Sequence, residues 1–406
     1  MRRKPLFPPP QSAAGKRLAN KGRQSKSVLT INGRVQLWRR WWHGAQTGSV
    51  APADEFMNSQ AETVTPGVRE MACRENQVGS FDTAAANLFR TAQIKMCGEQ
   101  LRLLVEGEGR KVLAVQQAAT LDTAWTAGDC QVEGGKTRVY IGCDGVMMPV
   151  ITDAEKRLRR KKIKEKRRKS GRKCRPLPPL RKGADLPWKE LKVVYFYSED
   201  MQHQQVAVTH LNSRAAGHLL RREADRLGFR QADERIGNID GAPWIREEMR
   251  HHLAELDGLG LDFYHLSEQV HEARRGVYGA ESAEGEAWVG KLLHEFKHGG
   301  YDATWESLVQ WRTGLPRSPK KRKAADLLLH YVSERREMIL YPEFRRKGWQ
   351  IASGPTESQC KLSVDRLKGR GRRWDRPNAI AVTALDSLRR SGQWNIYFQT
   401  PCPLPP

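Results

Sequence analysis

The sequence has 406 residues, of which 39% are hydrophobic and 29% are charged, so it is long enough for two or three domains with sizeable cores. Lys and Arg number 70 against 46 Asp and Glu, which gives a formal net charge of +24. So large a charge repels itself unless a polyanion neutralises it, and nucleic acid is the commonest such partner. The alternative is a basic protein that binds nucleic acid only adventitiously.

The seven cysteines form no C-x-x-C pair, which disfavours a disulfide framework and a zinc site and fits a reducing compartment. The basic start, Met1-Arg2-Arg3-Lys4, leads into prolines and not into an apolar run, so we expect no secretory signal. No stretch of about 18 apolar residues occurs, so we expect no membrane contact.

The N-terminal third combines a basic tail with short β and helical segments. Residues 1–27 are rich in Pro, Gly, Ser and basic residues and predict a disordered basic tail. Residues 28–43 predict a hairpin, because Asn32-Gly33 separates two β-prone runs. The run from Arg39 to Trp42 mixes charge with aromatic rings, which suits DNA binding or the packing of a small sheet. Residues 79–107 predict two short helices, either a DNA-binding helix-turn-helix or an ordinary helical hairpin.

The sequence becomes β-rich from residue 137, and a very basic stretch follows at 155–182. Between Lys156 and Arg175 there are 14 Lys or Arg residues and one acid, Glu165. Such a run predicts either a phosphate-binding arm or a solvated, partly helical insert.

The remaining segments predict neighbouring strands at 191–200 and 204–211, a helix at 213–229 and a strand at 235–241. A helix, a strand at 261–266, a largely helical block at 267–345 and two further helices follow. Periodicity alone supports an α/β fold with a helical block.

Three acids occupy similar places in this pattern. Asp144 lies in the first strand, Asp240 ends a later strand before Gly241, and Glu357 lies near the start of a helix after a Gly-Pro turn. Strand ends are where α/β sheets place ligand-binding groups, and carboxylates suit Mg²⁺ or Mn²⁺. Taken singly, each acid is more typical of a turn or a helix cap.

The blocks YIGCDGVMMPV (140–150), ELKVVYF (190–196), IGNIDGAPWI (236–245), DFYH (262–265) and GWQIASGPTESQCK (348–361) resemble those of DDE transposases of the Kra-type bacterial insertion sequences, which are Mutator-like. The resemblance covers roughly residues 30–396. It implies an α/β fold with an RNase H-like mixed sheet and a helical insertion, preceded by a small N-terminal hairpin and a helical, helix-turn-helix-like region. The implied catalytic and metal-binding carboxylates are Asp144, Asp240 and Glu357, separated by 96 and 117 residues.

The resemblance also implies a domain arrangement. The ranges are a tail (1–27), an N-terminal DNA-binding region (28–135), an RNase H-like catalytic domain (136–266 and 346–396), its basic insert (155–182), a helical insertion domain (267–345) and a loose C-terminal tail (397–406). Relatives often carry Cys pairs near the N-terminus, which this sequence lacks, so zinc is not expected.

Further residues are predicted to contact DNA or to assist catalysis. Basic residues of the helix that carries Glu357, and of the segment after it, continue a positive surface. The predicted DNA-binding residues are Lys361, Arg366, Lys368, Arg370, Arg372, Arg373, Arg159, Arg160, Lys161 and Lys162. Asp262 and His265 have a (C/D)-x-x-H spacing and are auxiliary candidates; the alternative is a helix cap with a core-facing Tyr264.

The expected protein is therefore a transposase that cleaves double-stranded DNA at element ends and joins the 3′-hydroxyl to target DNA, using two Mg²⁺ or Mn²⁺ ions. We expect a homodimer or higher oligomer on DNA, in the bacterial cytoplasm and associated with the nucleoid. Two alternatives remain: a catalytically inactive, sequence-specific DNA-binding protein of transposase descent, and a metal-dependent nuclease that acts on RNA–DNA hybrids or junctions.

Overall fold

The computed structural model describes residues 10–11, 15, 17–45, 48–56, 63–171, 174–369 and 371–398. Its contacts divide the chain into two units, the first comprising 1–122, 380–386 and 393–406 and the second 123–379 and 387–392. The first boundary between these units falls at 122/123, and the domain boundary at 135/136 stays a prediction. The helical block at 267–345 belongs to the same unit as the central sheet.

The elements follow one another along the chain in a mixed α/β order. The first part contains β1 (Ala19–Thr30), β2 (Gly33–Gly44), β3 (Gly48–Val50), α1 (Pro52–Phe56), α2 (Pro66–Glu75), α3 (Phe81–Ala92) and α4 (Gly98–Ala118). The central part contains β4 (Arg138–Pro149), α5 (Asp153–Ser170), β5 (Trp188–Ser198), β6 (Gln204–Thr209), α6 (Ser213–Leu227), β7 (Glu234–Ile239), α7 (Pro243–His252) and β8 (Gly258–Leu261). The last part contains α8 (Phe263–Val277), α9 (Ala283–Gly314), α10 (Pro319–Ser333), α11 (Tyr341–Arg346), α12 (Gly354–Lys368), α13 (Arg376–Arg390) and α14 (Trp394–Phe398).

The first unit contains the predicted hairpin, which is longer than expected. Strands β1 and β2 pair antiparallel, and Gly33 adopts a φ of 99° at the turn, which glycine allows without steric cost. Because β1 begins at Ala19, the prediction of a disordered tail is wrong for residues 19–27. The rest of the predicted N-terminal tail is described only at residues 10–11, 15 and 17–18, and the predicted C-terminal tail only at 397–398, which belong to α14.

The two predicted N-terminal helices are present as α3 and α4, but α4 continues to Ala118. Its first turn exposes Glu99, and Arg102 of the same face is ion-paired with Glu99 and Glu106, each at 2.6 Å. A recognition helix presents its N-terminal residues to DNA. Acidic side chains and an already neutralised arginine make this end of α4 a poor surface for phosphates.

The second unit is built on a five-stranded mixed sheet of order β6-β5-β4-β7-β8. Strands β5 and β6 run antiparallel to their neighbours, whereas β4, β7 and β8 are parallel. The central strands are buried on both faces, which explains the nearly continuous apolar run of β5. On one face of the sheet, Cys143 and Phe196 belong to the larger core cluster. On the other face, Tyr140 and Tyr195 belong to a second core cluster, which includes Cys360 of α12.

The strand predicted at 261–266 is wrong, because β8 ends at Leu261 and α8 begins at Phe263. The block at 267–345 is largely helical, as predicted. No helix among the described residues is long and apolar enough to cross a membrane.

Candidate functional site

Three aspartates reach the same edge of the central sheet. Strands β7 and β8 are paired up to their last residues, so Asp240 and Asp262, which follow them directly, leave the sheet at the same level. Asp144 and Asp240 each lie three residues beyond the last β4–β7 pair. Since β4, β7 and β8 are parallel, this edge is the carboxyl end of the strands, where α/β proteins place binding groups.

Helix α12 brings Glu357 to this edge because it packs closely on β4. Gly142 permits the approach, since a β-carbon there would overlap the Thr356 hydroxyl. Asp144 lies two residues after Gly142 and therefore points to the same face of the sheet, which α12 covers. Cys360, one turn beyond Glu357, is buried on this face, and its pKa is raised by that burial and by the charge of Asp144. The sequence thus correctly placed Glu357 in the first turn of a helix.

The charges at this edge influence one another. Burial raises the pKa of Asp144 to about 6, against the effect of a 2.5 Å hydrogen bond from the backbone N–H of Gly145. The negative charges of Asp240 and Glu357 raise the pKa further, and the charge of His265 lowers it. A partly buried carboxyl whose pKa is raised by two neighbouring carboxylates is typical of an acidic functional site.

His265 joins two of the acids. Its Nδ1 atom lies 3.3 Å from Oδ1 of Asp262 and 3.4 Å from Oε1 of Glu357. The interaction with Asp262 raises the pKa of His265 to about 9, with further contributions from the charges of Glu357 and Asp240. The imidazole is therefore positively charged at neutral pH and offsets part of the negative charge of the cluster.

Asp262 is buried and caps α8. Its Oδ1 atom accepts a 2.8 Å hydrogen bond from the backbone N–H of His265, and its Oδ2 atom accepts one from the N–H of Ser353, just before α12. Although burial alone would raise the pKa of Asp262, the hydrogen bonds from His265 and Ser353 lower it to about 2. The cap interpretation is thus correct, but Tyr264 is 67% exposed and does not face the core.

The arrangement can hold a cation. Ligand atoms of Asp262, His265 and Glu357 lie within 4.8 Å of one another, the one grouping of this kind among the described residues. One buried polar atom at the edge, Oγ1 of Thr356, has no hydrogen-bond partner among the described residues, which is rare unless a water or an ion completes the site. Asp144, predicted as a ligand with Asp240 and Glu357, lies outside that grouping, as does Asp240.

The helical block also contributes side chains to this edge, which the sequence did not predict. Arg335 lies across Gly241, so that a β-carbon on Gly241 would be 2.6 Å from its Nε atom, and Gly241 has a φ of 81°. The Arg335 guanidinium stacks 3.9 Å above the ring of Tyr331. Burial raises the pKa of Tyr331 to about 12, and the charges of Asp240 and Asp262 add to this effect. No sequence motif indicates Arg335. The Asp-Gly pair, by contrast, indicates the turn against which Arg335 packs.

The predicted DNA-binding residues near α12 differ in accessibility. Lys361 and Lys368 are exposed. Arg366 is 7% exposed and its guanidinium lies over Trp374, where burial lowers the pKa of Arg366 to about 10. This position does not agree with a surface contact to phosphate, because an amphipathic helix buries one face and Arg366 lies on it. Arg370 is outside the described residues.

Two further predicted residues have intramolecular partners. Arg372 donates a 2.9 Å hydrogen bond to the carbonyl of Arg366. Arg373 forms a 2.9 Å ion pair with Glu155 in the first turn of α5, and Lys156 of that turn binds Asp375. Arg373 therefore fixes the basic helix beside the segment that follows α12.

The basic insert forms the helix α5, in which no residue is buried. Arg159, Lys161 and Lys162 are exposed, whereas Arg160 donates a 2.6 Å hydrogen bond to the carbonyl of Pro178. Arg167 likewise binds the carbonyl of Arg175. The proline-rich segment after α5 thus accepts hydrogen bonds from two arginines of the helix, and the other basic side chains of α5 stay exposed to solvent.

Comparison with known proteins gives little similarity. No protein-family model matches the sequence, and no curated protein matches it significantly. Among solved structures, the chain is similar to the Drosophila P element transposase strand transfer complex, with 9% identity, a TM-score of 0.39, and coverage of 83% of this chain and 94% of that chain. A TM-score of this size does not establish a shared fold. Membership of the Kra-type family stays a prediction.

Proposed function

We propose that this chain is a transposase of the DDE type, with an RNase H-like catalytic core, in which Asp144, Asp240 and Glu357 hold divalent cations. The observation that carries the proposal is the placement of these three acids at one edge of the sheet. Two come from parallel neighbouring strands, the third comes from the helix packed on β4, and the charges of Asp240 and Glu357 act on the pKa of Asp144. The sequence resemblance assigns the same three residues.

The oxygen ligands suit Mg²⁺ or Mn²⁺. Asp144, Asp240 and Glu357 would hold two such ions, which would supply activation of the attacking oxygen and stabilisation of the leaving oxygen in phosphodiester chemistry. The chain's own residues would align the substrate around them. The protonated His265 limits repulsion among the carboxylates, and Arg335 offers a guanidinium next to Asp240 for a DNA phosphate.

The basic surfaces would bind the DNA backbone. Exposed Lys361 and Lys368 extend along the helix that carries Glu357, and α5 presents Arg159, Lys161 and Lys162. The expected substrates are the ends of the mobile element and the target duplex. Because two element ends must be joined in one reaction, the active form on DNA is proposed to be a dimer or higher oligomer.

A cleavage and joining assay tests the proposal. The substrate is DNA containing both flanks of the chain's own coding region, with Mg²⁺ or Mn²⁺ added, and the proteins are wild type, Asp240→Asn and a surface control, Lys320→Ala. We expect metal-dependent nicking at defined ends and 3′-end joining by the wild type and the control only. Sequence-specific binding without cleavage by the wild type would favour the catalytically inactive alternative. Cleavage of hybrids or junctions but not of element ends would favour the nuclease alternative.

A further inference from the structure

The N-terminal hairpin has two faces of different character. In an antiparallel pair, residues directly opposite each other point to the same side of the sheet. Trp38 lies opposite Ser25, and Arg40 lies opposite Arg23, so these side chains share one face. The alternation along β2 adds Arg34 and Gln36 to it, and we call these six residues the Trp38 face.

The opposite face of the hairpin is occupied by internal contacts. Lys26 and Arg39 point to that side, and both form ion pairs with Asp54, at 3.5 and 2.6 Å. Arg39 also lies 5.0 Å from the ring centre of Trp41. The run of charged and aromatic residues noted in the sequence is therefore divided between the two faces of the hairpin. Arg39 and Trp41 interact with each other on the face with internal contacts, whereas Arg40 lies on the Trp38 face.

Trp38 is unusual among the tryptophans of this chain because 70% of its surface is exposed. Trp188 is 43% exposed, and all the others are at least partly buried. An indole buries 150–250 Å² in a typical core, so leaving it in water forgoes a large stabilising contribution. A single exposed aromatic ring needs no explanation by itself, but this one has arginines on both sides of it on the same face of the hairpin.

The charges around Trp38 are all of one sign. Arg23, Arg34 and Arg40 share its face, and none of them forms an ion pair with a carboxylate in the part of the chain that the structure describes. Arg34 donates a 3.3 Å hydrogen bond to the Ser27 hydroxyl. An aromatic ring can stack on a nucleic-acid base, and guanidinium groups beside it can bind the neighbouring phosphates. This combination of groups is therefore complementary to a nucleic acid.

The accessibility of the indole indicates which form of nucleic acid fits. In a duplex, the faces of the bases are covered by their stacked neighbours, so an exposed indole could touch only groove edges. Unpaired bases present a free face on which an aromatic side chain stacks. We propose that the Trp38 face binds DNA containing unpaired bases, with one base stacked on Trp38 and the adjoining phosphates held by Arg23, Arg34 and Arg40. This inference rests on the proposed function only in taking DNA as the partner.

The test uses the full-length chain in EDTA, so that cleavage plays no part. Fluorescence anisotropy measures affinity for three labelled DNAs: a single strand, the same sequence as a blunt duplex, and that duplex with a single-stranded extension. We expect Trp38→Ala to lose about tenfold or more in affinity for the single strand and the extended duplex, and to bind the blunt duplex as wild type does. Trp38→Phe should retain most of the affinity, because a phenyl ring also stacks.

Two further variants make the result decisive. Trp188→Ala, which removes the other exposed tryptophan, should bind all three DNAs as wild type does. Arg40→Ala should reduce the salt dependence of single-strand binding by about 0.7 in log–log slope, as expected for one lost phosphate contact. Equal affinities of Trp38→Ala and wild type for the single strand would overturn the proposal. An equal loss on all three DNAs, with Trp38→Phe no better than alanine, would also overturn it. Neither result depends on Asp144, Asp240 or Glu357.

Discussion

The imidazole of His265 lies 3.4 Å from the carboxylate of Glu357, so the first turn of α8 and the first turn of α12 meet through one charged contact. Both turns lie at the carboxyl edge of the sheet, next to Asp144 and Asp240. Because carboxylates at one site repel one another, a nearby positive charge reduces that repulsion. His265 supplies that charge, and it links the position of Glu357 to the buried cap residue Asp262.

The charge of His265 should make metal-free stability depend on pH. The pKa of His265 is raised to about 9 from its usual 6.5, so the stabilisation is complete below pH 6.5 and is lost as the pH rises through 9. In EDTA, the free energy of unfolding of the wild type should fall between pH 6.5 and 9 more steeply than that of His265→Gln. Urea denaturation at several pH values measures this, and parallel pH profiles for the two proteins would contradict it.

Asp262 and Glu357 should have separable roles. Removing the Asp262 carboxylate leaves the N–H groups of His265 and Ser353 without their acceptors, which should cost about 1–3 kcal/mol in the free energy of unfolding. Glu357 is half exposed, so Glu357→Ala should leave stability in EDTA almost unchanged but abolish metal-dependent cleavage. Thermal unfolding and nicking assays of both variants check this. A Glu357→Ala protein as destabilised as Asp262→Ala would show that Glu357 is structural.

The close packing of α12 on β4 should make Gly142 sensitive to substitution. In Gly142→Ala the new methyl group overlaps the Thr356 hydroxyl, so α12 must shift, at a cost of about 1–3 kcal/mol, and Glu357 moves with it. Cleavage should fall more than DNA binding does. The matched control is Gly290→Ala in α9, where no atom lies within 4 Å of the added carbon, and where alanine should stabilise the helix by about 0.5–1 kcal/mol. Wild-type cleavage by Gly142→Ala would contradict the packing argument.

The exposed charges of α5 should set part of the salt dependence of duplex binding. If Arg159, Lys161 and Lys162 each contact a phosphate, replacing all three by alanine should reduce the slope of log affinity against log salt by about 2.7, or 0.9 for each contact. A triple alanine variant of Lys320, Lys321 and Lys323 in α10 removes the same net charge and is the control. Equal slopes for the two variants would show that α5 contributes only through the overall charge.

Much of the architecture could be predicted from local sequence pattern. The continuous apolar run of β5, the Asn-Gly turn of the hairpin and the Gly-Pro start of α12 each mark an element that the structure contains. Asp240 and Glu357 were placed correctly at a strand end and in a first helical turn. The end of β8 was not predicted, because the residues after Leu261 are as β-prone as the strand itself and only the cap formed by Asp262 starts the helix.

The details of the site depend on long-range contacts, which local pattern does not contain. Arg366 was grouped with basic surface residues, although its position in α12 turns it toward Trp374. Arg335 comes from the helical block, far along the chain from Asp240, and only the fold brings it against Gly241. Alternation along β2 places Arg39 and Arg40 on opposite faces, but the sequence does not show which face is covered, because that depends on the ion pairs that Asp54 forms with Lys26 and Arg39.

The most direct measurement is the position of Mn²⁺ in crystals of the protein with element-end DNA, located by anomalous scattering. The account predicts an ion bound by carboxylate oxygens of Asp144 and Asp240 at roughly the 2.0–2.6 Å typical of such ligands, with Glu357 contributing to the same metal site. Manganese held only by Asp262, His265 and Glu357, with Asp144 and Asp240 free of metal, would contradict the assignment of the catalytic carboxylates.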